Sequence, residues 1–316
     1  MKPYAFGVDI GGTTVKIGLF SAVGKLLDSW EIPTRTENEG TLILPDIAKS
    51  IEGKLKDRGI EISEVEGIGV GVPGPVLTNG IVDQCVNLGW GVFDVRTELS
   101  KLLEGIPVEV GNDANVAALG EQWCGGGKGR DNVVMVTLGT GVGGGIIVRG
   151  RILNGNHGAA GEIGHIKVKD DEKEKCACGK KGCLEQYASA TGIVRVAKRR
   201  LKKDKETRST LRKIKDLTAK DVLDAAKKGD PMAVDVMERV GKLLGEAIAT
   251  VTCVLNPDVV VIGGGVSKAG PYLLDLIQRY YRPAAFHSSQ NVVFKLAELG
   301  NDAGMYGAVR MILNES

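Results

Sequence analysis

The sequence predicts an α/β protein of two domains, and three observations carry this. Its 316 residues suffice for about two domains, each with its own core and with room for a cleft. A pattern of apolar run, glycine turn and apolar run occurs twice, with Gly11 and Gly139 standing 128 positions apart. Segments with helical spacing of apolar residues separate and follow these hairpins. Composition narrows the partners. A hydrophobic content of 43%, a charged content of 25% and a net charge of +2 are ordinary, so overall balance implies neither nucleic acid nor a membrane, and small ligands are the expected partners. No run of about 18 apolar residues occurs, and MKPYAFGVD enters a strand pattern without a signal-peptide core. A cytoplasmic protein is therefore expected. In that reducing compartment clustered cysteines point to metal or redox chemistry before disulfides.

In chain order, AFGVDI, GGTT and VKIGLF read as a strand hairpin. Leu42, Leu44, Ile47, Ile51 and Leu55 lie on one side of a helix over 41–57, and GIGVGV at 67–72 reads as a buried strand before a loop at Pro73 to Pro75. A short strand over Pro107 to Val110 leads into GNDANVAALGEQW, a turn and a helix. VVMVTLGTGVGGGIIV then repeats the hairpin theme, a weak internal duplication with one phosphate-type hairpin opening each half. Residues 190–250 read as mainly helical, with Thr218 as an N-cap and Asp221 three positions on. VVVI, GGG, a helix from Tyr272, a strand near Val292 and a helix around Met305 to Ile312 close the chain.

Any one glycine-rich stretch can be no more than a tight turn. In DIGGTTVK, however, the backbone amides of Gly11 and Gly12 are free of side-chain crowding, Thr13 and Thr14 can donate hydroxyls, and Lys16 can add charge toward a phosphate. Asp9 suits magnesium, a hard cation that prefers oxygen ligands. The stretch lacks the GxxxxGK[ST] of a Walker loop. Gly139, Gly141 and Gly144 satisfy GxGxxG, but GIIV continues as a strand where a dinucleotide fold demands a helix, so Gly139, Thr140 and Gly141 read as a second phosphate hairpin. Gly263, Gly264 and Gly265 end a strand where a flat adenine or a ribose can approach backbone.

The ordered set DIGGTTVK, GVPGP, NDAN, LGTGVGGG, GEIGH, CACGKKGCLE and VVVIGGG resembles the ROK family of bacterial sugar kinases and repressors, and within it the glucokinases. The match covers nearly the whole chain. The resemblance implies a two-domain actin-like or hexokinase-like (ribonuclease H-like) ATPase fold, with nucleotide and sugar in an interdomain cleft. It implies a discontinuous first domain of 1–111 with about 302–316, and a second of 112–301. It also favours a homodimer or homotetramer.

Transfer of a γ-phosphoryl group from ATP to a sugar hydroxyl needs a base, a metal to neutralise phosphate charge, and in-line positioning. Asp113 is the candidate base, ahead of a helix whose dipole keeps a carboxylate ionised, although Asp113 or Asn112 could equally be a plain cap. The resemblance assigns sugar binding to Asn112 and Asp113 and makes Asp113 the base. It adds Glu162 and His165 of GEIGH and Glu185 of CLE as sugar contacts, where the bare sequence offers solvated carboxylates. Asn87 and Gly74 are further candidates for the same pocket.

His165, Cys176, Cys178 and Cys183 make a Cys3His set, the ligand chemistry and count of a closed, structural zinc site over 165–183. CAC has neither the spacing nor the context of a redox CxxC pair, and inert buried thiols account for Cys85, Cys124 and Cys253 better than for this cluster. Residues 195–215 carry 11 Lys or Arg against two acids, but without an aromatic residue they read as a solvated helical face, not a nucleic-acid site. The expected activity is ATP-dependent phosphorylation of glucose to glucose 6-phosphate. N-acetylmannosamine kinase, another hexose kinase and a polyphosphate-using glucokinase are alternatives within the class. A sugar-responsive regulator of the same family would need a helix-turn-helix module, and only five residues precede Phe6.

Overall fold

The computed structural model describes residues 2–77 and 79–314. Strands β1 (Tyr4–Ile10) and β2 (Thr14–Ser21) form the first hairpin, antiparallel with Asp9 opposite Lys16, and β3 (Leu26–Pro33) continues the meander. Helix α1 (Ile43–Arg58) buries Ile43, Leu44, Ile47, Ile51 and Leu55, and Gly59 ends it in the left-handed conformation at φ 62°. This is the common way to satisfy the last carbonyls of a helix. Strand β4 (Val65–Val72) is buried along nearly its whole length, as a central parallel strand must be, and runs parallel to β1. A ribbon of β5 (Ile81–Val82) and β6 (Phe93–Asp94) precedes α2 (Val95–Leu102), β7 (Val108–Asn112) and α3 (Asp113–Cys124).

The second hairpin is β8 (Val133–Leu138) and β9 (Val142–Val148), followed by β10 (Arg151–Ile152). After α4 (Glu185–Ala188) come α5 (Ala190–Lys203), α6 (Ala219–Lys227) and the long α7 (Pro231–Leu255). Thr218 and Asp221 form the expected reciprocal cap of α6. Strand β11 (Val259–Gly263), α8 (Pro271–Ala284), β12 (Val293–Leu296) and α9 (Ala303–Asn314) complete the chain. The two main sheets run β3-β2-β1-β4-β7 and β10-β9-β8-β11-β12. Counted within its own half, each has the order 3-2-1-4-5, so the duplication read from the two glycine hairpins extends to whole sheets.

The basic run departs from the expected helical face. Helix α5 stops at Lys203, where Asp204 turns the chain, and the rest is irregular apart from a 3-10 turn at Thr210–Lys213. Asp204 accepts from Thr207 N at 3.0 Å and Thr207 Oγ1 at 2.8 Å, so local side-chain bonding replaces the next helical turn.

Two compact units emerge. One runs through Asp131, takes up Gly145–Gly161 and resumes at Glu298; the other comprises Asn132–Gly144 and Glu162–Ala297. Residues 112–131 and 145–161 therefore group with the N-terminal unit, where the sequence placed them in the second domain. The reason for the first shift is that α3 lies against α9. A Cβ on Gly307 would stand 1.7 Å from the Val116 carbonyl oxygen, and one on Gly120 would stand 2.2 Å from that of Ala303. Gly307→Val is expected to destabilise the protein by about 3 kcal/mol, read as a lower urea midpoint with unchanged slope.

Candidate functional site

In the N-terminal unit the first hairpin presents an exposed turn. Its amide at Gly11 closes on the Thr14 carbonyl at 3.0 Å, and Thr34 Oγ1 donates to the Gly11 carbonyl at 2.7 Å, leaving the Thr13 and Thr14 side chains exposed. Gly12 has an unexceptional φ, and a Cβ built on it meets nothing within 4 Å. The same holds for Gly139 and Gly265. Neither backbone strain nor packing calls for glycine at these three places, so their backbone is left open to close approach.

Asp9 ends this hairpin's first strand. Burial first, and the charge of Asp113 second, push its carboxyl up to about 6, against the pull of Lys16. It also lies against Gly304, where a Cβ would stand 2.4 Å from Asp9 Oδ2. A half-buried carboxylate beside a second one is a fitting holder for a divalent cation, which would relieve both. Because the folded chain holds this proton more tightly than the unfolded chain, ionising Asp9 costs stability, and the cost grows as pH rises from about 4 through about 6. Asp9→Asn is therefore expected to match the parent near pH 4 and to exceed it by about 1–3 kcal/mol at pH 7 in magnesium-free buffer, in urea titrations across that range. Lys16 has less freedom than the sequence suggests, since its ammonium pairs with Asp302 at 3.2 Å and Glu31 at 3.4 Å.

The cap that the sequence left open between Asn112 and Asp113 falls to Asn112. Asn112 is the cap of α3: its Oδ1 accepts from Ala114 N at 3.1 Å and Asn115 N at 3.2 Å, and its Nδ2 donates to the Gly74 carbonyl at 3.0 Å and to Asp113 Oδ1 at 3.0 Å. Asp113 is the first residue of the helix, exposed, with Oδ1 also accepting from Ala114 N at 2.7 Å. Its carboxylate thus sits in the positive field of the helix N-terminus. The Pro73–Gly74 loop is held in turn by the buried Cys85, whose thiol donates to the Pro73 carbonyl at 2.6 Å. Asn87, two residues on, lies in an exposed 3-10 turn.

In the second unit the four zinc candidates come together. Their ligand atoms lie within 4.8 Å of one another, with Cys178 and Cys183 Sγ 3.6 Å apart and Cys176 Sγ 3.7 Å from His165 Nδ1. Four ligands at about 2.3 Å from one ion stand about 3.8 Å apart in a tetrahedron, so the donor set fits zinc. The two carboxylates expected to bind sugar, Glu162 and Glu185, adjoin it. Cys176 Sγ donates to Glu185 Oε1 at 2.9 Å, and His165 faces Glu185 Oε1 with Nδ1 and Glu162 Oε2 with Nε2, each at 3.8 Å. Gly141 brings the second hairpin here, because a Cβ on it would stand 2.9 Å from Glu185 Oε2.

That hairpin's turn is tied to α5, with Ala190 N donating to the Gly139 carbonyl at 2.8 Å and Thr191 Oγ1 to that of Thr140 at 2.7 Å. Gly263 ends β11, and Gly264, at φ 81°, passes so close to Leu138 that a Cβ would lie 2.6 Å from its carbonyl carbon. Gly265 opens onto a cavity of about 320 Å³ with apolar walls from Ala190, Leu223, Val266 and Ala269. Sequence reasoning missed Thr191, Asp302 and Gly304. Thr191 follows the N-cap Ser189 and carried a local signal, whereas the other two are identified only by partners nearly the whole chain away.

The chain as a whole is similar to known proteins. The sequence profile of the ROK family matches residues 5–315. The chain is 45% identical over 305 residues to a glucokinase of Halalkalibacterium halodurans, covering 95% of this chain and 92% of that one. Among solved structures it is similar to a ROK family glucokinase from Streptomyces griseus in complex with glucose and AMPPNP, at TM-score 0.75 and 34% identity over 98% of each chain. It is also similar to a ROK hexokinase from Thermus thermophilus, at TM-score 0.83 and 28% identity over 99% of this chain and 100% of that one.

Proposed function

The chain belongs to the ROK family, and on that premise we propose that it is an ATP-dependent hexokinase whose substrate is glucose and whose product is glucose 6-phosphate. The observation that carries this reading is the Asn112-Asp113 corner: one residue caps α3 and, by doing so, presents the other's carboxylate beside Asp9. The relatives' glucokinase names and the glucose and AMPPNP of the Streptomyces griseus complex support the choice of substrates.

Asp113 takes the proton of the attacking hydroxyl. A carboxylate is a weak base, but the hydroxyl becomes acidic only as its bond to phosphorus forms, so proton removal need not lead in a loose transition state. The hydroxyl oxygen bonds the γ-phosphorus, the bond to the β–γ bridging oxygen breaks, and ADP leaves with that electron pair. The open turns at Gly12 and Gly139 suit approach of phosphate oxygens to backbone, and the cavity beside Gly265 suits the flat adenine. Asp9 would hold magnesium, whose charge offsets that of the phosphates. Glu162, Glu185 and His165 supply bidentate acceptors and a ring nitrogen for neighbouring sugar hydroxyls. Zinc held by His165, Cys176, Cys178 and Cys183 would be structural, fixing the groups that orient the sugar.

A panel of glucose, mannose, fructose and N-acetylmannosamine, each assayed for ADP release with ATP and for turnover with polyphosphate, tests the assignment. Glucose with ATP is expected to give the highest kcat/KM. A higher value for another pair would replace the proposed substrate or donor.

A further inference from the structure

The basic run at 195–215 divides into two kinds of charge in the folded chain. Arg195, Arg199 and Arg200 are used within the protein, pairing with Glu172, Glu174, Asp204 and Asp235. The cations further along make no such ion pair among the described residues. Arg208, Arg212 and Lys213, joined by Lys228 from the turn after α6, line a pocket of about 580 Å³ with Ser209, Thr210 and Pro231. Among the described residues none of these four pairs with a carboxylate.

The pocket contains one acid, Asp230, and it is already committed. It is 8% exposed and accepts from Ser209 Oγ, Thr210 N, Thr210 Oγ1, Met232 N and Ala233 N, at 2.6 to 3.2 Å. Arg212 is held in place by main-chain carbonyls, with Nη1 donating to Leu201 at 3.2 Å and Nη2 to Thr207 at 3.2 Å. Carbonyl dipoles orient a guanidinium without cancelling its charge. The C-terminus of α6 and the N-terminus of α7 meet here with opposed dipoles, so side-chain charge sets the potential. Four exposed cations against one internally satisfied carboxylate leave the lining of this pocket net positive, which favours an anion.

We propose that this pocket is a binding site for a small anion carrying two or more phosphate groups, separate from the site of phosphoryl transfer. No residue of the glycine turns, the Asn112-Asp113 corner or the cysteine cluster lines it. Four cations line it, more than a single phosphate needs. The lining has no aromatic side chain on which a base could stack, which argues against single-stranded nucleic acid. Because Ser209, Thr210 and Asp230 connect the pocket to the N-cap of α7, an occupant would also rigidify the loop between α5 and α6.

Isothermal titration with sodium tripolyphosphate, pyrophosphate and inorganic phosphate tests this, on the full-length parent and on the variant Lys213→Ala/Lys228→Ala. The parent is expected to bind tripolyphosphate and pyrophosphate at least tenfold more tightly than phosphate, and more weakly as salt is raised. The variant should lose that binding equivalent or weaken it at least tenfold, while its melting temperature and its turnover with glucose and ATP match the parent. Tripolyphosphate that fails to bind, or that binds both proteins alike, would overturn the site. Inorganic phosphate binding as tightly as pyrophosphate would overturn the requirement for a second phosphate group. Neither failure bears on the kinase reading, which the substrate panel tests separately.

Discussion

Asp113→Asn is expected to lower kcat by about a hundred- to ten-thousand-fold, the usual range for losing a general base, while glucose binding changes little. The change is nearly isosteric and leaves α3 intact, because the helix is capped by Asn112, which keeps its bonds to Ala114 N and Asn115 N. An amide at 113 can still accept from Ala114 N, as Asp113 Oδ1 does at 2.7 Å, so orientation survives and proton acceptance does not. Steady-state kinetics with glucose titration by tryptophan fluorescence separates the two. Turnover within threefold of the parent would remove Asp113 from the role of base. Equal loss of sugar affinity and turnover would make it a binding group instead.

Cys178→Ser is expected to release zinc, about one ion per chain in the parent, and to weaken glucose binding by about ten- to a hundredfold. Cys178 is exposed, so the substitution leaves no cavity, and its effect is that of a lost ligand. Without the ion, His165, Cys176 and Cys183 lose their common anchor, and with it goes the placement of His165 against Glu162 and Glu185, each 3.8 Å from its ring. The surrounding fold should persist. Glu172, in the same segment, is held by Tyr187 Oη at 2.6 Å and by Arg195 and Arg199 at 2.8 to 2.9 Å, and these bonds do not involve the metal. Metal analysis, far-ultraviolet circular dichroism and glucose titration together read the outcome. A zinc-free protein with parental glucose affinity would contradict the link between metal and sugar site.

Much of this architecture is legible in one dimension. The helix over Ile43–Arg58, the buried strand Val65–Val72 and the cap at Thr218 follow from spacings of two to four residues, and these carry the same physics in a peptide as in a fold. The Cys3His set is legible too, because thiolates this closely spaced have few other uses. The basic run shows the limit. Counting charges correctly identified an exposed surface, yet it did not separate the arginines that pair with Glu172 and Asp235 from the cations around the pocket at Lys213, because pairing depends on which acids the fold brings near.

The order of elements, the two glycine hairpins and the inventory of reactive side chains are properties of the amino-acid string, since each rests on local periodicity, turn chemistry or residue type. The folded chain assigned the roles. It made Asn112 the cap and freed Asp113 from that duty, tied Lys16 to Asp302 across 286 positions, and set Gly304 against Asp9. Each of these joins groups far apart in sequence, and their contact energies arise only when the closing helix returns to pack on the first strands.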